Sequence, residues 1–211
     1  MPTQQRKQRE REQRREQILS ATQRLIAAES YDNVTMQDIA DAVEVSKGSL
    51  YLLFQDKDDI VAALVNRSLD ALDLIIAEEL RPEGSAPERL ARLARAYWRF
   101  YIEKPELFPN LSLISGLMAR RDSFAPSMVI ATRLNKLESI LRRVIEEGIE
   151  EGTIRGGLDV PLLVGLMTVL VNSFLEKLAK LPRTPGPVLG YGAEDLIQEF
   201  FDILLFYIKG A

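Results

Sequence analysis

Thr35-Met-Gln-Asp-Ile-Ala-Asp-Ala-Val-Glu-Val-Ser-Lys-Gly-Ser-Leu-Tyr-Leu-Leu-Phe-Gln-Asp-Lys57 is the stretch whose reading decides the fold. Its spacing predicts two short helices joined by a tight turn, with a third helix starting at its end. Thr35 and Asp38 form a capping box, because each side chain can bond the other's free backbone N–H. Ile39, Ala40 and Val43 fall on one face of the first helix, and Val45 closes the turn. Ser46 is a good N-cap for the second helix, its hydroxyl placed for the N–H of Gly48 or Ser49. Leu50 and Phe54 make the buried stripe of that helix. The opposite face then carries Lys47, Gly48, Ser49 and Tyr51. Asp56 and Asp59 repeat the capping-box spacing and start the next helix.

A small, polar, once-basic outer face suits insertion of the second helix into a DNA major groove. It suits a solvated helical hairpin equally well. The wording of the stretch is more specific than its architecture. It resembles the N-terminal helix-turn-helix of the TetR/AcrR family of repressors, in which a T-x-x-D-I-A-x-x-x-x-V-S-x-G-x-L-Y-x-x-F-x-x-K pattern recurs. Thr35, Asp38, Ile39, Ala40, Val45, Ser46, Gly48, Leu50, Tyr51, Phe54 and Lys57 fill every fixed position of that pattern. The expected DNA-reading surface is therefore Thr35, Gln37, Ser46, Lys47, Gly48, Ser49, Tyr51 and Lys57, with Lys47 and Lys57 as the flanking cations. Glu44 stands where the family's turn usually has glycine, so a positive φ there costs it about 1 kcal/mol. Ser30 stands where glycine commonly ends the first helix. Leu53 replaces a histidine, and Leu52 a frequent aromatic.

Around this stretch the composition is that of an ordinary globular chain. Of 211 residues, 46% are hydrophobic and 27% charged, enough for one sizeable core or two small ones. Without cysteine there is no disulfide framework, thiolate metal site or cysteine nucleophile. Without histidine the usual general base and the commonest metal ligand are missing too. Carboxylates or lysines would have to do any catalysis, and no clustered pair stands out. No enzyme activity, catalytic residue, metal site or cofactor is expected. A net charge of −4 does not advertise nucleic-acid binding, which must come from local charge. No stretch near residue 1 reads as a secretory signal, so a cytoplasmic location is the expectation.

Residues 1–14 form a basic arm in which Arg6, Lys7, Arg9, Arg11 and Arg14 outnumber Glu10 and Glu12. Almost without apolar residues, it reads as a solvated tail or frayed helix extension, or as an arm reaching DNA phosphates or the minor groove. A first firm helix over 15–29 carries Ile18, Ala21, Leu25 and Ala28 on one stripe and completes a head spanning 15–62. A longer helix then runs through Ile60, Leu64, Leu72, Ile75, Ile76 and Leu80 to the Pro-Gly linker at 82–87. It leaves the head and enters a second domain, 63–211, as the mechanical link between them.

From 88 onward everything has helical period, with helices expected over 88–103, 106–121, 126–151, 160–178 and 194–208. The fold class is all-α, about nine helices. The phrase at 150–159 reads as a glycine turn that ends one helix before Asp159 caps the next. Residues 160–175 are apolar nearly all round, but Thr168, Asn172 and Ser173 interrupt them and no membrane span results. The last helix carries Ile197, Phe200, Phe201, Leu204, Leu205 and Ile208 on a very wide face. Helices apolar on more than one side need covering on more than one side, which points to a subunit interface. Leu166, Leu170, Phe201 and Leu205 are its candidate residues. The resemblance implies a four-helix bundle between two subunits, with 182–192 as the loop joining its helices.

The resemblance also implies an inducer pocket in the second domain, lined by largely apolar chemistry. Candidate walls are Tyr97, Trp98, Tyr101, Phe108, Met118 and Phe174, residue types that serve plain core at least as often. Asn110, Asn135 and Asn172 join them, since burying an amide needs a partner. The function implied is that of a homodimeric TetR-type repressor on a palindromic double-stranded operator, released by a small, largely apolar inducer that the sequence does not name. A helical DNA-binding or scaffolding protein with no effector is the alternative.

Overall fold

Each polar cap read from 35–57 starts a helix in the computed structural model, which describes residues 2–80, 83–119, 125–179 and 190–209. The first four helices are α1 (Pro2–Glu29), α2 (Met36–Ala42), α3 (Lys47–Tyr51) and α4 (Lys57–Glu79). Thr35 caps α2 reciprocally: its hydroxyl accepts the Asp38 N–H at 3.2 Å, while its own N–H donates to the Asp38 carboxylate at 2.8 Å. Ser46 caps α3 by accepting the Ser49 N–H at 3.1 Å. Asp56 caps α4 through the Asp59 N–H at 2.8 Å, and Asp59 reaches back to the N–H of Gln55 rather than Asp56.

The basic residues do not form a tail. They continue α1 to Pro2, because Arg, Gln and Glu are good helix formers and nothing before Ser30 breaks the run. Arg6 and Glu10 add an i, i+4 ion pair at 2.8 Å. Ser30 ends α1 at φ 72°, and Glu44 turns α2 toward α3 at φ 55°. Both are the positive-φ positions expected from the places where glycine is missing.

The remaining helices are α5 (Ala86–Glu103), α6 (Ile114–Ala119), α7 (Ala125–Glu150), α8 (Val160–Ala179) and α9 (Ala193–Ile208). Among the described residues there is no strand. The expected single helix over 106–121 is instead a 3-10 turn, Phe108–Leu113, running into α6. Pro109 lacks the N–H that an α-helix would use there, and the tighter turn tolerates it. Gly152, at φ 71°, follows the end of α7, Gly157, at φ 77°, turns the chain toward α8, and Asp159 caps α8 through the Leu162 N–H at 3.0 Å. The expected loop at 182–192 lies mostly outside the described residues.

Two cores result. One joins Ile18, Leu19, Val34, Met36, Ile39, Ala40, Leu50, Phe54, Ile60 and Leu64. The other takes in Val61, Val65, Leu69, Leu72 and Ile75 with buried residues of α5, α7, α8, α9 and the 3-10 turn. Helix α4 supplies both, one face to each, and residues 62 and 63 lie within it. Buried Ser68 and Asn110 fasten it further: Asn110 Nδ2 donates to Ser68 Oγ at 3.1 Å, and Ser68 donates to the Leu107 carbonyl at 2.9 Å.

Candidate functional site

The α2–α3 unit leaves Thr35, Gln37, Ser46, Lys47, Gly48, Ser49 and Tyr51 exposed together. Their freedom differs. Thr35 is held in its capping box, which keeps the Asp38 carboxyl below its ordinary value, chiefly through the Thr35 hydroxyl. Gln37 donates to Asp41 at 2.8 Å, and the Ser46 and Ser49 hydroxyls lie 2.8 Å apart. No internal packing requires glycine at 48, since an added Cβ would meet only Ser46 Oγ, at 3.9 Å. Leu52, 80% exposed, extends the same surface. Sequence reading passed over it as a departure from the family pattern.

Lys57 is placed otherwise than expected. Its ammonium donates to the carbonyls of Tyr31 at 2.7 Å and Val34 at 2.6 Å, and lies 4.0 Å from the Tyr31 ring centroid. It ties the loop after α1 to the start of α4, an internal anchor rather than an outward flanking cation. Spacing placed it beside α3 but carried no information on the carbonyls that draw it inward.

A second feature lies between α5, α7, α8 and α9. It is an apolar cavity of ≈ 100 Å³ lined by Leu90, Leu93, Ala94, Tyr97, Leu134, Leu137, Glu138, Leu141, Met167, Thr168, Val171, Phe201, Leu204 and Leu205. Of the expected ligand residues whose side chains are described, only Tyr97 is in this wall. Burial, with the charge of Asp73 adding, pushes its phenol above the ordinary range. Phe108 and Tyr101 are buried against each other, ring centroids 5.0 Å apart, as core. Asn110 has its partner in Ser68, so its burial does not signal a ligand. Asn135 is exposed, because Leu134, Leu137 and Leu141 turn the inner face of α7 away from it. Trp98 lines a surface groove with Arg95, Gln198 and Asp202, on the other side of Ala94, Phe201 and Leu205. Phe174 stacks on Phe200 at 4.3 Å, Met118 is half-buried outside the cavity, and the Asn172 side chain lies outside the described residues.

Phe201 and Leu205, expected at a subunit interface, are half-buried and border both the cavity and the outer groove that Trp98 lines. The outward apolar faces are Leu162, Leu166, Val169 and Leu170 on α8, and Ile203 and Phe206 on α9, with Phe206 83% exposed. Both cavity walls reach α4. Arg133 of α7 bonds Asp70 at 2.7 Å and Asp73 at 2.6 Å, and Arg99 of α5 bonds Glu79 at 2.9 Å and Glu78 at 3.0 Å. Hydrogen bonds to Glu103 first, then Glu79 and Glu78, raise the Arg99 pKa.

A helix-turn-helix head joined by one shared helix to an all-helical body is the architecture that the comparisons with known proteins also find. The family model described as "Bacterial regulatory proteins, tetR family" matches residues 18–64. The chain is 27% identical over 146 residues to the Fatty acid metabolism regulator protein of Bacillus subtilis, covering 69% of this chain and 73% of that protein. It is 28% identical over 151 residues to the HTH-type transcriptional repressor KstR2 of Mycolicibacterium smegmatis, covering 71% and 72%. The structure of AibR in complex with isovaleryl coenzyme A and operator DNA has the same fold, with a TM-score of 0.72 at 20% identity over 91% of this chain and 98% of that one. The head, residues 18–64, is thus similar to the tetR family of bacterial regulatory proteins, and the relatives that align over about 70% of the chain are named as regulators of transcription or metabolism. That family is one of regulators rather than enzymes, and among the described residues no helix is long and apolar enough to cross a membrane.

Proposed function

We propose that this chain is a ligand-released repressor that acts as a homodimer. The observation that carries the reading is the double attachment of α4. It supplies both cores, and Arg133 and Arg99 pair it with the two helices that wall the cavity. A ligand that spreads α5 and α7 shifts α4, and with it the angle of α3. Two heads spaced for neighbouring major grooves then lose their register.

In this reading residues 15–62 are the DNA head, with Lys47, Gly48, Ser49 and Tyr51 entering the groove and Thr35, Gln37 and Ser46 beside them. Leu52 adds apolar contact of the kind a thymine methyl accepts. Residues 1–14 serve as a helical arm. Lys7, Arg11, Arg14 and Arg15 recur at i, i+4, i+7 and i+8, in line with buried Ile18, Ala21 and Thr22. The cations therefore emerge on the side of α1 that carries the head, suited to phosphates flanking the half-site. Residues 63–211 form the effector and dimerisation domain, with Leu162, Leu166, Val169, Leu170, Ile203 and Phe206 meeting their two-fold copies. The effector has an apolar part that enters the cavity. The isovaleryl coenzyme A and operator DNA bound by AibR support this class.

The test uses the full-length protein and an operator selected from random DNA. A panel of short- to long-chain acyl-coenzyme A thioesters, with amines, alcohols and carboxylates of matching chain length, is titrated into the complex. At least one should weaken operator binding by about 5–150-fold, and the operator should weaken binding of that ligand by the same factor. Leu137→Trp, which fills the cavity, should keep operator affinity and lose the response. A panel without effect, or a response that survives the filled cavity, contradicts the reading.

A further inference from the structure

We propose that the cavity selects an amphiphile whose polar end is an amine or a hydroxyl, and that Glu138 is the group that receives it. The proposal rests on the reading of this cavity as the effector site. The phase of α7 puts Glu138 in the same inward stripe as Leu134, Leu137 and Leu141, at a position where another leucine would serve the fold better. Its side chain is half-buried, and its carboxylate makes no hydrogen bond or ion pair with any described residue.

A shortage of cations does not explain this. Acids elsewhere on α4, α5 and α7 are paired: Glu79 and Glu103 with Arg99, Glu147 with Arg89, Asp70 and Asp73 with Arg133. Leaving a carboxylate unpaired beside apolar surface lowers stability, and a bound group that donates a hydrogen bond or brings a positive charge offsets that. The other polar groups of the wall offer an anion nothing comparable. Thr168 donates its hydroxyl to the Val164 carbonyl at 2.9 Å, and no Lys or Arg is among the lining residues. A free carboxylate on the same tail would meet Glu138 as a like charge beside an apolar wall. The volume of ≈ 100 Å³ suits a short or branched aliphatic body.

Hexylamine, hexanol and hexanoate share one tail and separate these cases. Their binding to the full-length protein is measured calorimetrically, with fluorescence of the chain's one tryptophan, Trp98, as a second readout. The amine should bind tightest and hexanoate at least about tenfold more weakly, with hexanol between them. Glu138→Gln should bring the gap between amine and hexanoate to under about threefold, mainly by weakening the amine. Hexanoate binding as well as the amine, or a gap that Glu138→Gln leaves intact, overturns the selectivity. Failure of all three to bind overturns the selectivity alone; the effector-site reading falls only if no member of the operator-release panel acts.

Discussion

Replacing Ser68 by alanine tests how α4 is held to the body. The Ser68 hydroxyl is fully buried; it accepts from Asn110 Nδ2 at 3.1 Å, and its proton has the Leu107 carbonyl at 2.9 Å and the Leu64 carbonyl at 3.1 Å in reach. Ser68→Ala removes both bonds and leaves the Asn110 amide, itself buried, without its acceptor. An orphaned buried donor costs about 1–3 kcal/mol. Alanine's better helix propensity returns about 0.5 kcal/mol, so the net loss is about 0.5–2.5 kcal/mol. For a chain of this size that lowers the melting temperature by about 1–10 °C. Thermal unfolding at one fixed protein concentration reads it, since a dimer's midpoint depends on concentration. Asn110→Leu in the Ser68→Ala background removes the orphan, so the double variant should recover part of the loss. A Ser68→Ala protein within about 0.5 kcal/mol of the parent, with the two substitutions additive, would show that the pair does not fasten α4.

Glu44→Gly should stabilise the protein by about 0.5–1 kcal/mol, relief of the positive φ outweighing glycine's greater unfolded freedom; calorimetry checks it. Lys57→Met should cost about 1.5–3 kcal/mol of stability through the lost carbonyl bonds, with folded protein keeping the salt dependence of its DNA binding. Lys7, Arg11 and Arg14 changed together to Gln should flatten the slope of log affinity against log salt by up to about 2.7 units, at about 0.9 per phosphate. An unchanged slope would place the arm off the DNA.

The helix-turn-helix was legible because its signals are local. Thr35–Asp38, Ser46 and Asp56–Asp59 act within three residues, and the glycine-less turns at Ser30 and Glu44 took the conformations their neighbours demand. The cavity was not legible because its wall is built from the same Leu, Val and Met that fill a core. Aromatic residues drew attention, yet Tyr101 and Phe108 pack on each other and Trp98 lies across the wall. Asn110 finds its partner 42 residues away, a distance no local pattern spans. One available signal went unused: the stripe Leu134, Leu137, Leu141 on α7 excludes Asn135 from the inner face and admits Glu138.

The central claim is that two copies of the 35–52 surface read one symmetric DNA site. Selection from a random-sequence DNA pool by the full-length protein, run beside a Lys47→Glu/Tyr51→Ala variant of confirmed fold, measures it directly. The account predicts enrichment of a pseudo-palindrome whose half-sites lie about 34–36 Å apart or a multiple of that, and no enrichment by the variant. Enrichment of a single unsymmetrical site, or the same palindrome recovered by both proteins, would contradict it.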